Sequence, residues 1–228
     1  MKEVLPGIHM IPEAQSLGMP DCNIFVLGTR EDFVIIDTGN GSHTNEKLSA
    51  LSRNGFDLKN CRYLILTHLH LDHIRGASAF HRPIVVSDVA AQEMKNNNAE
   101  AIFGCRVLQK MAGDFEVPII EIARRVHDGE VLTIARKDWM VMHTPGHSKG
   151  GLCLFYDERA VLISGDLLFA DAIGRMDLYG GGESEMRDSL QRIASLRPRT
   201  LLPGHGPVIV NDADRIERTI SQAIHYLS

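Results

Sequence analysis

A dense group of potential metal ligands directly follows a short apolar run in the first half of the chain. The segment Thr67–Gly76 reads THLHLDHIRG and holds three histidines and one aspartate within six consecutive positions. The preceding run, CRYLILT, is continuous and apolar, which is typical of a strand buried on both faces. A strand of this kind needs structure packed above and below it. The chain is therefore expected to fold in layers, with this polar group at the end of a central strand.

The spacing within the motif favours two metal ions over one. Alternate side chains of an extended segment share a face, so His68 and His70 can bind the same ion. Asp72 and His73 follow where the chain turns, and they can face a second point close by.

Three further apolar runs end on residues of the same types. The segments HTPGHSKGG, LISGDLLFA and LLPGHGP place His147, Asp166 and His205 just after short strands and beside glycines. Glycine lets the backbone turn sharply there and leave the side chain exposed. We therefore expect these three side chains to meet the first motif at one edge of a sheet.

The order of the predicted elements indicates two β-rich halves stacked face to face, with helices outside. The first half begins with a hairpin of Asn23–Leu27 and Phe33–Asp37, and a helix follows from Thr44, capped by Thr44 or Ser42 and stopped by Gly55. The remaining elements are the strands CRYLILT and RPIVVSD, a helical pattern over Val89–Met111 broken near Asn96–Asn98, the strands GEVLTI, WMVMHT, GLCLFY and AVLISGD, a helix over Glu183–Leu196, the strand TLLPGH, and a helix over Asp212–Tyr226. Without a linker or a repeat, the 228 residues predict a single domain.

The segments THLHLDH, TPGHSKGG, SGD and PGHGP, in this order and over nearly the whole chain, resemble the metallo-β-lactamase fold superfamily. The resemblance implies a four-layer α/β fold, an αββα sandwich of two mixed β-sheets with helices on the outer faces and a metal site at one edge. The segment VIIDTG resembles the early aspartate motif of the superfamily. This match makes Asp37 a residue expected to orient a histidine ligand.

The resemblance also implies which residues bind metal. It gives the first ion to His68, His70 and His147, and the second to Asp72, His73 and His205. Asp166 would bridge the two ions. Five imidazoles and two carboxylates suit Zn²⁺ and tolerate iron or manganese, so two divalent ions per chain are expected.

Hydrolysis is the chemistry expected of such a site. Two ions that share an aspartate lower the pKa of a water between them, so a metal-bound hydroxide attacks and no serine or cysteine nucleophile is needed. Asp72 is expected to orient the hydroxide or to pass a proton to the leaving group.

The segments SGDLLFADAIGRMDL and GGGESEMRDSLQRIASL most resemble the glyoxalase II group, which hydrolyses the thioester of hydroxyacylglutathione. Only Gly206–Ser228 follow the last ligand, so the helical C-terminal domain that grips glutathione in that group is not expected here. The lysine and tyrosine that contact glutathione are matched here by Arg175 and Asp177. Arg175, Tyr179 and Lys149 are therefore the candidate contacts to a small thioester or ester.

Other activities stay open at this stage. A mononuclear-iron persulfide dioxygenase of the same superfamily would use the residues that match His68, His147 and Asp166. A lactonase or a β-lactamase is also compatible with the motif, and a non-catalytic binding module is a further alternative. The sequence does not identify the substrate, the native metal or the oligomeric state.

Composition excludes several classes of partner. The formal net charge of −5 mixes both signs and gives no basic field for nucleic acid. No apolar run approaches the length of a membrane span, and the N-terminal segment MKEVLPGIHMIPEAQ does not resemble a secretory signal. Cysteines without a C-x-x-C pair suggest reduced thiols. We therefore expect a cytoplasmic protein whose partner is a small molecule.

Overall fold

Seven strands form one mixed sheet within the part of the chain that the computed structural model describes, residues 1–14, 20–96, 98–104 and 121–227. In spatial order they are β1 (Lys2–Leu5), β2 (Ile8–Ile11), β3 (Ile24–Gly28), β4 (Phe33–Ile36), β5 (Cys61–Ile65), β6 (Ile84–Ser87) and β7 (Ile122–Val126). Strands β1 to β4 pair antiparallel, and β4 to β7 pair parallel. The carboxyl ends of β4 to β7 therefore lie at one edge of the sheet.

Five strands of the described residues form a second mixed sheet. They are β8 (Val131–Ile134), β9 (Lys137–His143), β10 (Leu152–Tyr156), β11 (Val161–Gly165) and β12 (Thr200–Pro203), in the spatial order β12-β11-β10-β9-β8. Only β11 and β12 pair parallel, and their carboxyl ends lie side by side. The backbone N–H of Leu152 donates to the carbonyl of Thr67 at 2.9 Å, which joins the start of β10 to the end of β5. The two sheets thus meet at the edge where these strands end.

Helices cover the outer face of each sheet. On the first sheet the described helices are α1 (Thr44–Arg53), α2 (Leu71–Ile74), α3 (Ala77–Phe80), α4 (Asp88–Lys95) and α5 (Ala99–Phe103), and on the second they are α6 (Glu183–Leu196) and α7 (Ala213–Tyr226). Two 3₁₀ turns, Leu58–Asn60 and Asp157–Arg159, complete the described helical elements. No helix among the described residues is long and apolar enough to cross a membrane.

Strand β4 shows why the apolar runs are continuous. Phe33 and Ile35 pack against the helices of the first sheet, while Val34 and Ile36 pack against the second sheet. All four side chains are 0% exposed, and each full burial of this kind contributes about 1.5–3 kcal/mol. The strand is buried on both faces because layers lie on either side of it. The predicted αββα sandwich of two mixed sheets is confirmed.

The predicted cap of α1 is wrong. The residue before the helix is His43, and neither Ser42 nor Thr44 caps it with its side chain. Asn40 closes the preceding turn by accepting from the Ser42 N–H at 2.9 Å, and the Thr44 hydroxyl donates back to the carbonyl of Gly41 at 3.0 Å. The Thr44 hydroxyl is therefore bonded within the turn that precedes the helix.

Three strands were not expected from the sequence. Strands β1 and β2, of four residues each, form a hairpin at the outer edge of the first sheet, and β7 closes the opposite edge with exposed Arg124 and Arg125. Such edge strands carry charges and lack the continuous apolar run of a central strand. The helical pattern predicted over Val89–Met111 divides into α4 and α5 as expected, and residues 105–111 lie outside the described residues.

Candidate metal centre

The backbone explains how one short motif can face two points. The chain stays extended through His70, whose φ is −62° and ψ is 145°, and α2 begins at the next residue. His68 and His70 therefore leave the end of β5 in an extended segment, whereas Asp72 and His73 lie on a helical turn. The two pairs thus leave the chain from different backbone conformations, and the rings of His68 and His73 still approach to 4.1 Å between centroids.

Three histidines form the first cluster of potential ligands. The Nδ1 atom of His70 lies 2.8 Å from Nε2 of His147, and His68 packs against both rings. One nitrogen from each of the three histidines lies within 4.8 Å of the other two. The Nε2 atom of His68 is buried and has no hydrogen-bond partner among the described residues. An unpartnered, buried nitrogen beside two others is a set that suits a metal ion.

Asp72, His73 and His205 form the second cluster. The Nε2 atoms of His73 and His205 are 3.3 Å apart, and Oδ2 of Asp72 lies 3.2 Å from Nε2 of His205. His73 is fully buried, whereas the side chain of His205 is 22% exposed. This cluster is therefore the more open of the two.

Asp166 lies between the two clusters. Its Oδ1 is 3.2 Å from Nε2 of His73, and its Oδ2 is 3.3 Å from Nε2 of His205 and 3.7 Å from Nε2 of His147. A single carboxylate thus reaches residues of both sets. Gly204 makes this approach possible, because a Cβ at that position would stand 2.2 Å from Oδ1 of Asp166.

The two clusters differ in protonation. Burial, helped by the neighbouring histidines, holds the pKa of His68 well below its usual range and lowers that of His70 to about 3. Burial also opposes the charge on His205, but hydrogen bonds with Asp166 and Asp72 outweigh it and raise its pKa to about 11. Burial also lowers the pKa of His73, but the surrounding negative groups outweigh this effect and raise the pKa above its usual value. The first cluster therefore offers neutral imidazoles, whereas the carboxylates of the second favour the protonated form of its histidines.

Asp37 stands behind His73. Its Oδ2 accepts from Nδ1 of His73 at 2.9 Å and from the hydroxyl of Thr67 at 2.8 Å, and its Oδ1 accepts from the Thr67 N–H at 2.8 Å. The backbone of Asp37 has φ +59°, a conformation that costs a non-glycine residue about 1–3 kcal/mol. The surrounding hydrogen bonds hold Asp37 in this conformation. Because Asp37 binds Nδ1 of His73, the other ring nitrogen, Nε2, faces the cluster.

Two contacts that orient the first cluster were not foreseen. Nδ1 of His147 donates to the backbone carbonyl of Arg175 at 2.8 Å, and the hydroxyl of Thr67 lies 3.1 Å from Nδ1 of His68. Gly174 brings the loop this close, because a Cβ there would lie 1.8 Å from the carbonyl oxygen of Asp166. Since a backbone carbonyl is present at every residue, no sequence signal marks the Arg175 contact.

The candidate substrate contacts divide into two groups beside His147. The guanidinium of Arg175 forms two hydrogen bonds of 2.7 and 2.6 Å with Asp177, and this lowers the pKa of Asp177 to about 2. Lys149 instead stacks its ammonium over the ring of Tyr179 at 4.9 Å, with the phenol oxygen 3.4 Å away. The positive charge of Arg175 is thus paired directly with a carboxylate, whereas Lys149 lies against an aromatic face and interacts with Glu93 only through electrostatics.

His143, expected to be structural, lies beside the centre and not in it. Its Nε2 donates to the carbonyl of Lys149 at 2.7 Å. Its N–H donates to Asp128 at 2.8 Å. These bonds fix the loop that carries His147.

Comparisons with known proteins agree with this fold. A family model described as the metallo-beta-lactamase superfamily matches residues 17–205. A relative from Methanocaldococcus jannaschii, described as a probable metallo-hydrolase, is 28% identical over 210 residues, which are 87% of this chain and 94% of that protein. Acyl-coenzyme A thioesterase MBLAC2 of Bos taurus is 28% identical over 229 residues, which are 90% of this chain and 80% of that protein.

Solved structures give the same result. A metallo-β-lactamase family protein of Thermus thermophilus superimposes with a TM-score of 0.77 at 21% identity, over 98% of this chain and 80% of that one, which shows the fold alone. The protein TTHA1623, solved in a di-iron-bound form, gives a TM-score of 0.70 at 27% identity, over 90% and 96% of the two chains. The BLEG-1 B3 metallo-β-lactamase gives 0.67 at 29% identity, over 88% and 92%.

Proposed function

Because the chain belongs to the metallo-β-lactamase superfamily and is a metallo-hydrolase, we propose that it hydrolyses small thioesters or esters with a dinuclear metal centre. The observation that carries this proposal is the convergence of seven side chains on two adjacent points. Two sets of three residues face each other, and Asp166 reaches residues of both sets.

The donor set suits divalent ions of intermediate softness. In this proposal the first ion is held by His68, His70 and His147, and the second by Asp72, His73 and His205, with Asp166 shared. Five imidazole nitrogens and two carboxylates fit Zn²⁺ best, and iron or manganese would also fit. The buried Nε2 of His68, which has no partner within the described part of the chain, supports the first site, and the close approach of the His73 and His205 nitrogens supports the second.

Ions bound in this way lower the pKa of water towards neutrality and polarise the carbonyl oxygen of an ester or thioester. The protein contributes a base beside them. Burial raises the pKa of Asp72, but the charge of His73 and a hydrogen bond with His205 outweigh this effect, so the pKa of Asp72 is lowered and the carboxylate is ionised at neutral pH. We assign Asp72 to accepting a proton from the attacking water and passing it to the leaving thiolate or alkoxide.

Two features support a thioester substrate with an anionic thiol carrier. One is the resemblance of residues 164–196 to the glyoxalase II group, and the other is the relative described as an acyl-coenzyme A thioesterase. Both kinds of carrier bear carboxylates or phosphates. We propose Lys149, positioned by Tyr179, as the cation that binds the carrier, and we give Arg175 the smaller part because Asp177 already balances its charge.

β-Lactam hydrolysis is the second candidate, because BLEG-1 is described as a B3 metallo-β-lactamase and is 29% identical to this chain.

The cellular compartment is part of the proposal as well. Cys22, Cys61 and Cys153 are free, buried thiols, which supports a reducing compartment such as the cytoplasm.

A substrate panel tests the proposed function. The purified protein, loaded in turn with zinc, iron or manganese, is assayed with an acyl-glutathione, an acyl-coenzyme A, a neutral ester, a lactone, a β-lactam and glutathione persulfide under oxygen. We expect the highest kcat/KM with a thioester, and loss of that activity on chelation. A higher kcat/KM for the β-lactam would favour the second candidate. Oxygen uptake on the persulfide would overturn the proposed hydrolase.

A pair of aspartate variants controls this assay. Asp166→Ala removes the shared carboxylate and is expected to lower kcat/KM by more than about 100-fold, because metal ions contribute several kcal/mol to stabilisation of the transition state. Asp171→Ala removes an exposed carboxylate that pairs with Arg215, and it should leave activity unchanged. Full activity of Asp166→Ala with unchanged metal content would exclude the proposed centre.

A further inference from the structure

The segment after β2 lies against the loop that carries His205. Oε2 of Glu13 is 3.0 Å from Nδ1 of His205, and Oε1 accepts from the N–H of Gly206 at 3.0 Å. The carboxylate thus makes two hydrogen bonds to adjacent residues that stand more than 190 positions away in the sequence. Two bonds to one carboxylate restrict its orientation much more than one bond does.

Asn23 holds both partners of this contact. Its side-chain oxygen accepts from the N–H of Glu13 at 3.0 Å, while its amide donates to the carbonyls of Pro203 and Gly206 at 3.0 and 2.9 Å. Its backbone N–H donates to the carbonyl of Gly204 at 2.7 Å. Asn23 is 1% exposed, whereas the side chain of Glu13 is 36% exposed. Asn23 therefore fixes the backbone of Glu13, and the N–H of Gly206 holds its carboxylate beside His205.

His205 needs such support more than the other histidines of the centre. Its side chain is 22% exposed, whereas His68, His70, His73 and His147 are each no more than 6% exposed as residues. Packing fixes the rings of those four. In the neutral imidazole, the form that binds metal, donation from Nδ1 of His205 to Glu13 leaves the lone pair on Nε2, which faces the carboxylates of Asp72 and Asp166.

The two clusters differ in the groups that contact the Nδ1 atoms of their histidines. Both histidines of the second cluster are backed by carboxylates, His73 by Asp37 and His205 by Glu13. In the first cluster the partner of His147 is a backbone carbonyl, and that of His68 is a hydroxyl. A carboxylate behind a ligating imidazole fixes the tautomer and makes the imidazole a stronger ligand.

We propose that Glu13 is a positioning residue for the second metal site, acting through Nδ1 of His205 to set the tautomer and direction of Nε2. This inference rests on the proposed metal centre. Its consequence is selective: loss of Glu13 weakens the second site, and the first site keeps its affinity because none of its histidines contacts Glu13. The effect expected is about 10- to 100-fold in the dissociation constant of the second ion.

Competitive titration of the metal-free protein with Zn²⁺ against a chromophoric chelator tests the proposal, because it resolves both dissociation constants without any substrate. The variants are Glu13→Gln and Glu13→Ala. Gln keeps the size of the side chain and can still accept one of the two hydrogen bonds, so a smaller effect is expected than for Ala. Glu3→Gln is the matched control, since Glu3 accepts from the N–H of Gly7 and lies outside this network.

We expect the dissociation constant of the second site to increase from wild type to Glu13→Gln and further to Glu13→Ala. The dissociation constant of the first site should stay unchanged, and Glu3→Gln should match the wild type at both sites. Thermal unfolding of each metal-free variant distinguishes positioning from misfolding, because general destabilisation would weaken both sites together. Equal constants for the wild type and Glu13→Ala, or an equal loss at both sites, would overturn the role of Glu13. A wild-type protein that binds no second ion would overturn both this inference and the proposed dinuclear centre.

Discussion

Nδ1 of His70 and Nε2 of His147 lie 2.8 Å apart, although 77 residues separate them in the sequence. Burial lowers the pKa of both imidazoles, and that of His70 falls to about 3. The second cluster has the opposite character, because carboxylates surround His73 and His205 and raise their pKa values. The two halves of one centre therefore hold different numbers of protons before metal enters.

Metal binding at the second cluster is expected to release protons and to strengthen as the pH rises. His205, with a pKa raised to about 11, is protonated at neutral pH in the metal-free protein, and an ion must displace that proton. The first cluster is already neutral, so its affinity should change little between about pH 6 and 8. Calorimetric titration in buffers of different ionisation enthalpy measures the protons released by each ion. Equal proton release at both sites would contradict this assignment.

The same shift affects the stability of the metal-free protein. A histidine whose pKa is raised in the folded state stabilises the fold fully below its ordinary pKa of 6.5, and the contribution is lost as the pH rises towards about 11. The metal-free protein should therefore lose stability above neutral pH, while the metal-loaded protein should not show this loss. Urea unfolding at several pH values, with and without zinc, measures the difference.

Lys149→Ala should raise the KM for an acyl-coenzyme A or acyl-glutathione, with kcat nearly unchanged. The reason is that the ammonium would contact the carrier and not the reacting carbonyl, so its loss removes binding energy common to substrate and transition state. We expect an increase of about 5- to 10-fold, equivalent to about 1 kcal/mol.

Arg175→Ala is the matched variant. Because Asp177 already pairs with Arg175 at the surface, its loss should raise the same KM less than that of Lys149. A neutral ester serves as the control substrate, for which neither variant should change the KM. A larger effect from Arg175→Ala would assign the carrier contact to the loop of Arg175. An equal effect of Lys149→Ala on the neutral ester would show that Lys149 does not bind the charged carrier.

The fold was predictable where local pattern determines structure. Continuous apolar runs such as Leu64–Leu66 identified the central strands, and the glycine-flanked residues after them identified the edge where strands end. Strand β7 was missed because it is an edge strand with exposed arginines, and its place in the sheet depends on pairing with β6. The contact of Glu13 with His205 joins the two ends of the chain, and no local pattern signals such a contact.

Lys47→Ala should destabilise the protein strongly. Lys47 in α1 and Asp21 form a buried ion pair of 2.5 Å, with side chains 3% and 0% exposed. Removing one partner leaves an uncompensated buried charge, which costs about 3–5 kcal/mol. Arg215→Ala breaks an exposed pair with Asp171 and should cost no more than about 1 kcal/mol. Urea unfolding of the metal-free variants measures both, and equal losses would contradict the buried pair.

Metal content tests the central claim most directly. Wild-type protein is loaded with zinc and freed of excess ion by gel filtration. Elemental analysis then gives the metal content, and amino-acid analysis gives the protein concentration, so that ions per chain can be calculated. The dinuclear hydrolase predicts two ions per chain and a thioesterase activity that returns only as the second ion binds. One ion per chain at full activity, above all a single iron with oxygen uptake on a persulfide, would contradict it.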